Sequence, residues 1–495
     1  MSFDDDDDFD ALYAEEMALM REMDKKEKAS SSCAVPPPQK DLSYEQQLCS
    51  ETLQRLLDDG RGGYIFLVGQ AGSGKTHWID YERRKRNNMV VTAMSGTAAD
   101  NVRGITFHSY LMCGLAKDTV PVLLGKLRCR VKRTLPNGEQ VYGRKSDRFR
   151  ETEVLVIDEF SMMDGQLFEK FEAIRQAFNS KMVVVVVFDP FQALPVPENG
   201  AKDPFFVHET ETYKRLCDDH LITRVEFKLN HRQQARSEYV DVLSRIRVGK
   251  VTPEDDAFLA KRTEWMQHLS PEERRKQYPM PPPLANGIIP TQLYTNNKQV
   301  DEVNQEYLSK LDASTRHVYH RTTTRTPTST EDDQRVIEAS ARNSSLKECV
   351  ELRERAQVML LHNINKAEGL CNGSRGVVIG FDPDTDYPIV CFLKGAIRTI
   401  KPIDREVMNE AGQKIGVLRQ VPLNLAWALT ADKAQGATLD AVVASLDSAY
   451  TRHHIAYVIL SRCVYEGLYL RSWNKRCVRV HPSIQEHYKE IVDAA

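Results

Sequence analysis

An α/β fold with two parallel-sheet domains is predicted by three observations. The first is KMVVVVVFDPFQALPV, Lys181 to Val196, where five consecutive valines run into Asp189, Pro190 and Gln192. A half-exposed strand would alternate, so an unbroken β-branched run reads as a central strand covered on both faces. Pro190 then ends the ladder. The second is recurrence: YIFLVG, MVVTAM and EVLVIDE are further apolar strands separated by amphipathic segments. The third is a later set of the same kind, PTQLYTNN at 290–297, LNLAWALTADKAQG and YVILSRCVYEGLYL.

Residues 1–40 combine an Asp run with KKEK, SSSC and VPPPQK, a composition that predicts a disordered acidic arm. Phe9, Leu12, Tyr13, Met17 and Met20 share one helical face of it, a pattern suited to the basic groove of a partner protein. A solubilising tail is the plainer reading. The first domain is expected over 41–225, interrupted at about 121–150 by a segment with nine basic residues and two acids. Asn137-Gly138 within it is a strong hairpin signal. The second domain is expected over 226–315 and 418–480, and 481–495 as a C-terminal tail or helix. Between its halves, 316–417 carries GVVIGF, YPIVCFL and AIRTIKPI at turn-rich spacing, which predicts a small inserted β-barrel.

The chain has 495 residues and is 41% hydrophobic, enough for several cores. No apolar stretch reaches the roughly 18 residues of a membrane span. Ten scattered cysteines form no C-x-x-C pair, so neither a zinc site nor a disulfide framework is indicated, and a reducing compartment fits. The net charge of −3 includes eight acids in residues 1–16, leaving +5 on the remainder. A mildly basic body is compatible with a polyanion partner without requiring one. The acidic start is the opposite of an Arg-rich mitochondrial presequence.

GQAGSGKT, comprising Gly69, Gln70, Ala71, Gly72, Ser73, Gly74, Lys75 and Thr76, follows the strand YIFLV, the context a phosphate-binding P-loop needs. Its glycines let backbone N–H groups close around phosphate oxygens at a helix N-terminus. Lys75 would reach the β and γ phosphates and Thr76 would ligate Mg²⁺. Asp158 and Glu159 end another buried strand. There an acid holds the Mg²⁺ shell and its neighbour orients and deprotonates an attacking water. The cofactors are therefore a nucleoside triphosphate and Mg²⁺, and the chemistry reads as hydrolysis. Asp189 and Gln192 should emerge at the same sheet edge, where Gln192 could meet the γ-phosphate or the water.

The ordered blocks LSYEQQ, GQAGSGKT, TAMSGTAADNVRGITFHS, VLVIDEFSMMDGQLFEKFEAIR, FDPFQALPV, FKLNHRQ, YTNNKQVDEVN, RAQVMLLHN, LCNGSRGVVIGF, AWALTADKAQGATLD and AYVILSR span nearly everything beyond the arm. In this set the chain resembles the Pif-type DNA helicases of the Pif/RecD branch of superfamily one. The resemblance implies two RecA-like P-loop domains, with the basic hairpin as a wedge and the insertion as an SH3-like barrel. It also implies that Gln46 reads adenine, that Gln435 and Gly436 belong to the nucleotide site, and that Arg232 and Arg462 approach the γ-phosphate from the second domain. Thr97, Thr106, His108 and Ser109, with Asn296 and Thr438, are the implied DNA contacts.

By the same resemblance the chain is expected to move 5′-to-3′ on single-stranded DNA and to open forked duplexes in replication, repair, recombination or telomere maintenance. It would act as a monomer, in the nucleus, with a mitochondrion or another reducing compartment as the alternative. Three departures stand out. Phe188 replaces the family's usual Gly, QALPV replaces QLPPV, and HKSQG becomes Asp432-Lys433-Ala434-Gln435-Gly436. An acid near the strand path disfavours phosphate contact. The alternative is therefore an ATP-gated DNA- or RNA-binding scaffold with weakened unwinding.

Overall fold

The computed structural model describes residues 42–494, apart from 112–117, 135–139, 198–200, 202, 233–236, 276–279, 282–287, 327–330, 345, 363, 366–369, 371–372, 394, 409–413, 437–438 and 448–451. The arm, the Asn137-Gly138 turn and Thr438 lie outside the described residues.

The first lobe is a six-stranded parallel sheet of β1 (Gly63–Gly69), β2 (Met89–Ala93), β3 (Ile105–Thr106), β6 (Val154–Asp158), β7 (Val183–Phe188) and β8 (Ile222–Phe227), ordered β3-β2-β6-β7-β1-β8. Between β3 and β6 the chain forms the antiparallel pair β4 (Arg130–Thr134) and β5 (Gln140–Arg144), the expected basic hairpin. The edge strand β8 carries the lobe to Phe227, past the expected boundary at 225.

The valine strand sits between β6 and β1, and Val183 to Val187 have no exposed surface. Alternation divides it between two cores. Val184, Val186 and Phe188 join Phe66, Phe160 and Phe168, while Val183, Val185 and Val187 join Leu53, Trp78 and Ile79. Each fully buried valine contributes on the order of 1.5 kcal/mol before entropy, so an unbroken apolar run is what this two-faced position demands.

Helix Tyr44–Asp59 and the P-loop helix Lys75–Lys85 cover the second face. The first is covered by helix Gly165–Phe178 and, from the far end of the chain, by Ile484, Tyr488 and Ile491. The C-terminal segment is thus part of the first lobe's core, which no local pattern at 481–495 announced.

The second lobe is a four-stranded parallel sheet, β20-β9-β21-β22, built from β9 (Thr291–Tyr294), β20 (Ala428–Thr430), β21 (Val442–Leu446) and β22 (Leu468–Trp473). The insertion is antiparallel. Strands β13 (Gln357–Leu360), β14 (Arg375–Phe381), β15 (Pro388–Phe392), β16 (Ile397–Thr399) and β19 (Leu423–Leu425) form a five-stranded sheet ordered β16-β15-β14-β13-β19. Beside it β11 (Thr322–Arg325), β18 (Lys414–Gln420) and β17 (Ile403–Met408) make a three-stranded sheet, and β10 (His317–His320) pairs with β12 (Cys349–Leu352). Among the described residues no pairing joins β16 to β19, so this sheet is not closed on itself. The antiparallel region also runs to Leu425 rather than ending at 417.

Candidate active site

The P-loop follows β1 directly, as its spacing predicts. Gly72 and Gly74 have φ of +82° and +85°, the left-handed region that favours glycine. Close packing adds a second constraint: a Cβ on Gly72 would lie 2.7 Å from the Arg232 Cβ, and one on Gly74 would lie 2.7 Å from the Gln46 amide nitrogen. Lys75 Nζ donates to the Gly69 and Gln70 carbonyls at 2.6 and 3.0 Å.

Gln46 is placed by a capping box. Its Oε1 accepts from Ser43 N–H at 3.0 Å, the Ser43 hydroxyl accepts from Gln46 N–H, and its Nε2 donates to the Gly74 carbonyl at 3.2 Å. Buried to 3% exposure, it ties the first helix to the P-loop.

Asp158 closes β6, and Glu159 follows with φ of +52°, a left-handed conformation uncommon for a side-chain-bearing residue and often found at functional sites. Burial, with the Glu159 charge beside it, pushes the Asp158 carboxyl up to about 7. Burial pushes the Lys75 ammonium down, against the pull of Asp189, Glu159 and Asp158. Two adjacent carboxylates beside the P-loop form a hard-oxygen site. With the Thr76 hydroxyl at the start of the P-loop helix, this donor set fits Mg²⁺.

The second lobe reaches the same place. Gln435 donates from Nε2 to Glu159 Oε2 at 2.8 Å, and Gly436, at φ of +76°, lies next to the same carboxylate. Asn230 Nδ2 donates to the Ala71 carbonyl and His231 N–H to that of Gly72. Arg232 Nη1 donates to the Ser461 carbonyl at 2.6 Å. Arg462 is 1% exposed and donates to the Val458 carbonyl and, at 3.4 Å, to Gln192 Oε1. Burial, and after it the Arg462 charge, pushes the Arg232 guanidinium down to about 10. An anion beside these two arginines would relieve their mutual repulsion.

One expectation needs correction. Asp189 does not emerge toward a ligand. Its Oδ1 accepts from Arg247 Nε (2.8 Å) and Phe191 N–H (3.2 Å), and its Oδ2 from the Tyr457 hydroxyl (3.0 Å) and Gln192 Nε2 (3.1 Å). Gln192 therefore spans Asp189 and Arg462. Phe188 packs into an edge-to-face cluster with Phe66, Phe160 and Tyr488. A large residue at 188 is accommodated because the C-terminal segment supplies Tyr488 to pack on it.

The implied DNA contacts divide. Thr106 and Ser109 share a 2.8 Å hydroxyl contact at the end of β3, with Ser109 exposed, and burial lowers the His108 pKa between them. Asn296, past the end of β9, caps helix Asn297–Ser309 through Gln299 N–H. Thr97 lies in helix Gly96–Asn101, its side chain outside the description. Asp432 forms a two-pronged pair with Arg452, and Ala434 is fully buried. Tyr457, Arg247, Asn230 and His454 were not expected here. Tyr457 hides in the apolar run AYVIL, and Arg247 sits in an ordinary amphipathic helix, Ser237–Arg247.

Two parallel α/β lobes meeting over one P-loop, with arginines from the second lobe, fit the two-RecA-domain class of P-loop helicases. Comparison with known proteins gives the family: residues 41–257 match the PIF1-like helicase profile, and 343–381 match the 2B domain of DNA helicase Pif1. These matches support a Pif-type DNA helicase. It is 27% identical to ATP-dependent DNA helicase PIF1 of Emericella nidulans, over 97% of this chain and 68% of that protein. The Xenopus laevis PIF1 is 28% identical over 92% and 65%. The crystal structure of Pif1 helicase from Candida albicans superposes with a TM-score of 0.70 at 27% identity, over 91% of this chain and 99% of that one. The chain thus spans about two thirds of the length of these curated relatives.

Proposed function

We propose that this chain is an ATP- and Mg²⁺-dependent motor that translocates 5′-to-3′ on single-stranded DNA and unwinds duplex or structured DNA in genome maintenance. The observation that carries the reading is the composite site, in which Glu159 of the first lobe is held by Gln435 of the second and Arg232 and Arg462 lie alongside. A site completed by both lobes converts the state of its nucleotide into their relative position. Polarity and substrate class rest on the family.

Lys75 and the P-loop amides bind and orient the phosphates, Arg232 and Arg462 stabilise charge that develops on the γ-phosphoryl oxygens, and Glu159 takes the proton of the attacking water. Bound Mg²⁺, held by Thr76 and Asp158, would neutralise phosphate charge. Thr106, Ser109 and Asn296, at the strand ends of the two lobes, are the proposed backbone contacts to DNA.

Strand displacement tests this. A duplex with a 5′ single-stranded tail should be opened with ATP, and one with only a 3′ tail should not. Hydrolysis stimulated by DNA with both duplexes left intact would instead establish an ATP-gated scaffold.

A further inference from the structure

A buried chain of hydrogen bonds crosses between the lobes beside the site, joining Ala71, Asp189 and Tyr457, whose bonding partners no motif indicates, with Arg247 from outside the matched blocks. It starts at the P-loop, where Ala71 N–H donates to the Tyr457 hydroxyl at 3.1 Å. That hydroxyl donates to Asp189 Oδ2, and Arg247 Nε donates to Asp189 Oδ1. Tyr457 and Arg247 come from two second-lobe helices, Ile455–Leu460 and Ser237–Arg247, whereas Ala71 and Asp189 belong to the first. The Arg247 side chain is 7% exposed, that of Asp189 0%, and the Arg247 guanidinium also lies 5.1 Å from the Phe191 ring centroid.

From Asp189 the chain continues into the proposed catalytic groups. Gln192 Nε2 donates to Oδ2 and Gln192 Oε1 faces Arg462. The Gln192 carbonyl is fixed separately by His454 Nδ1 at 2.8 Å, and His454 Nε2 accepts from His481 N–H. The Asp189 carboxylate accepts four hydrogen bonds from the protein. Its charge is balanced by Arg247, so removing either partner would leave a buried ion uncompensated.

We propose that Tyr457 and Arg247 are positioning residues for ATP hydrolysis: through Asp189 they set the P-loop amide of Ala71 and the Gln192–Arg462 contact in register. The inference rests on the proposed function, because a register between lobes matters only where both complete one site. Tyr457 couples a P-loop amide to a buried carboxylate, so its hydroxyl acts on the geometry of the site. Misplacement of about 1 Å in such a constellation costs on the order of 100-fold in rate.

The test uses Tyr457→Phe, which deletes one oxygen and keeps the ring, together with Asp189→Asn and the double variant. ATPase kcat and KM are measured with saturating single-stranded DNA, alongside thermal melting. Tyr457→Phe should lower kcat about tenfold or more while KM for ATP moves less than about threefold. The double variant should be no slower than Asp189→Asn alone, because both act through one carboxylate. Arg247→Lys, which keeps the charge, should recover part of the loss seen in Arg247→Gln. Unchanged kcat in Tyr457→Phe, or losses that multiply in the double variant, would overturn the inference while leaving the motor reading intact. A wild-type ATPase indifferent to DNA would overturn both.

Discussion

Gln435 of the second lobe donates a 2.8 Å hydrogen bond to the Glu159 carboxylate of the first. The two lie 276 residues apart in sequence, and the bond places the proposed general base under the control of the domain that must move. Gln435→Ala should therefore lower DNA-stimulated ATPase by about tenfold, with a smaller effect on ATP binding. Steady-state kinetics with and without a DNA strand checks this, and an unaltered stimulated rate would remove Gln435 from the coupling.

Gly72 takes its left-handed backbone in a space already filled by Arg232. Gly72→Ala should raise KM for ATP at least tenfold, since backbone strain of about 1 kcal/mol combines with displacement of a γ-phosphate arginine. Gly60 is the control. It is also left-handed, but a Cβ there meets nothing within 4 Å, so Gly60→Ala should cost only the backbone term, read from chemical denaturation.

Glu172 lies beneath the sheet, accepting from the Tyr64 hydroxyl and from two nitrogens of Arg175. Burial alone would raise its pKa, but the hydrogen bonds and charge of Arg175 outweigh it and hold the carboxyl below the usual range. Its contribution is then present above the ordinary carboxylate pKa and is lost as pH falls through the depressed value. Glu172→Leu should destabilise the first lobe by about 3 kcal/mol or more, because Arg175 is left buried and unpaired. Urea unfolding at neutral pH measures this.

His454 is buried and neutral, with its pKa pushed down to about 4 by burial. A base depressed on folding contributes stability above its unfolded pKa of about 6.5, and that stability declines as pH falls toward 4. Each pH unit in that window costs about 1.4 kcal/mol for one such group. His454→Gln should reduce the pH slope of unfolding free energy between about pH 6 and pH 4.5 by about that amount. The slope comes from urea titrations at several pH values.

Asp432 occupies Arg452 in an exposed pair whose side chains are each 47% accessible. Such a pair adds at most about 1 kcal/mol to stability, so its replacement is a probe of binding. Asp432→His should leave melting nearly unchanged and tighten single-strand binding several-fold at low salt. The gain should shrink as salt rises. Fluorescence anisotropy over a salt series is the measurement.

Much of the nucleotide site was legible because it is local in sequence. GQAGSGKT and VLVIDE each place several groups by spacing alone, and the all-valine strand reported both of its covered faces. What escaped is contact between distant segments. Asp189 meets Arg247 across 58 residues and Tyr457 across 268. An arginine in an amphipathic helix and a tyrosine in an apolar run give no sign of a common partner. Phe188 was legible as a departure but not in its consequence, because the residue that accommodates it, Tyr488, comes from the end of the chain.

The central claim is that the ATP site is completed by both lobes and is driven by DNA. It is tested most directly by ATPase rate with and without single-stranded DNA, in the wild type, Lys75→Ala and Glu159→Gln. The account expects strong stimulation by DNA in the wild type, near-complete loss in both variants, and melting temperatures that stay close to wild type. Equal wild-type rates with and without DNA, or hydrolysis surviving in Glu159→Gln, would contradict it.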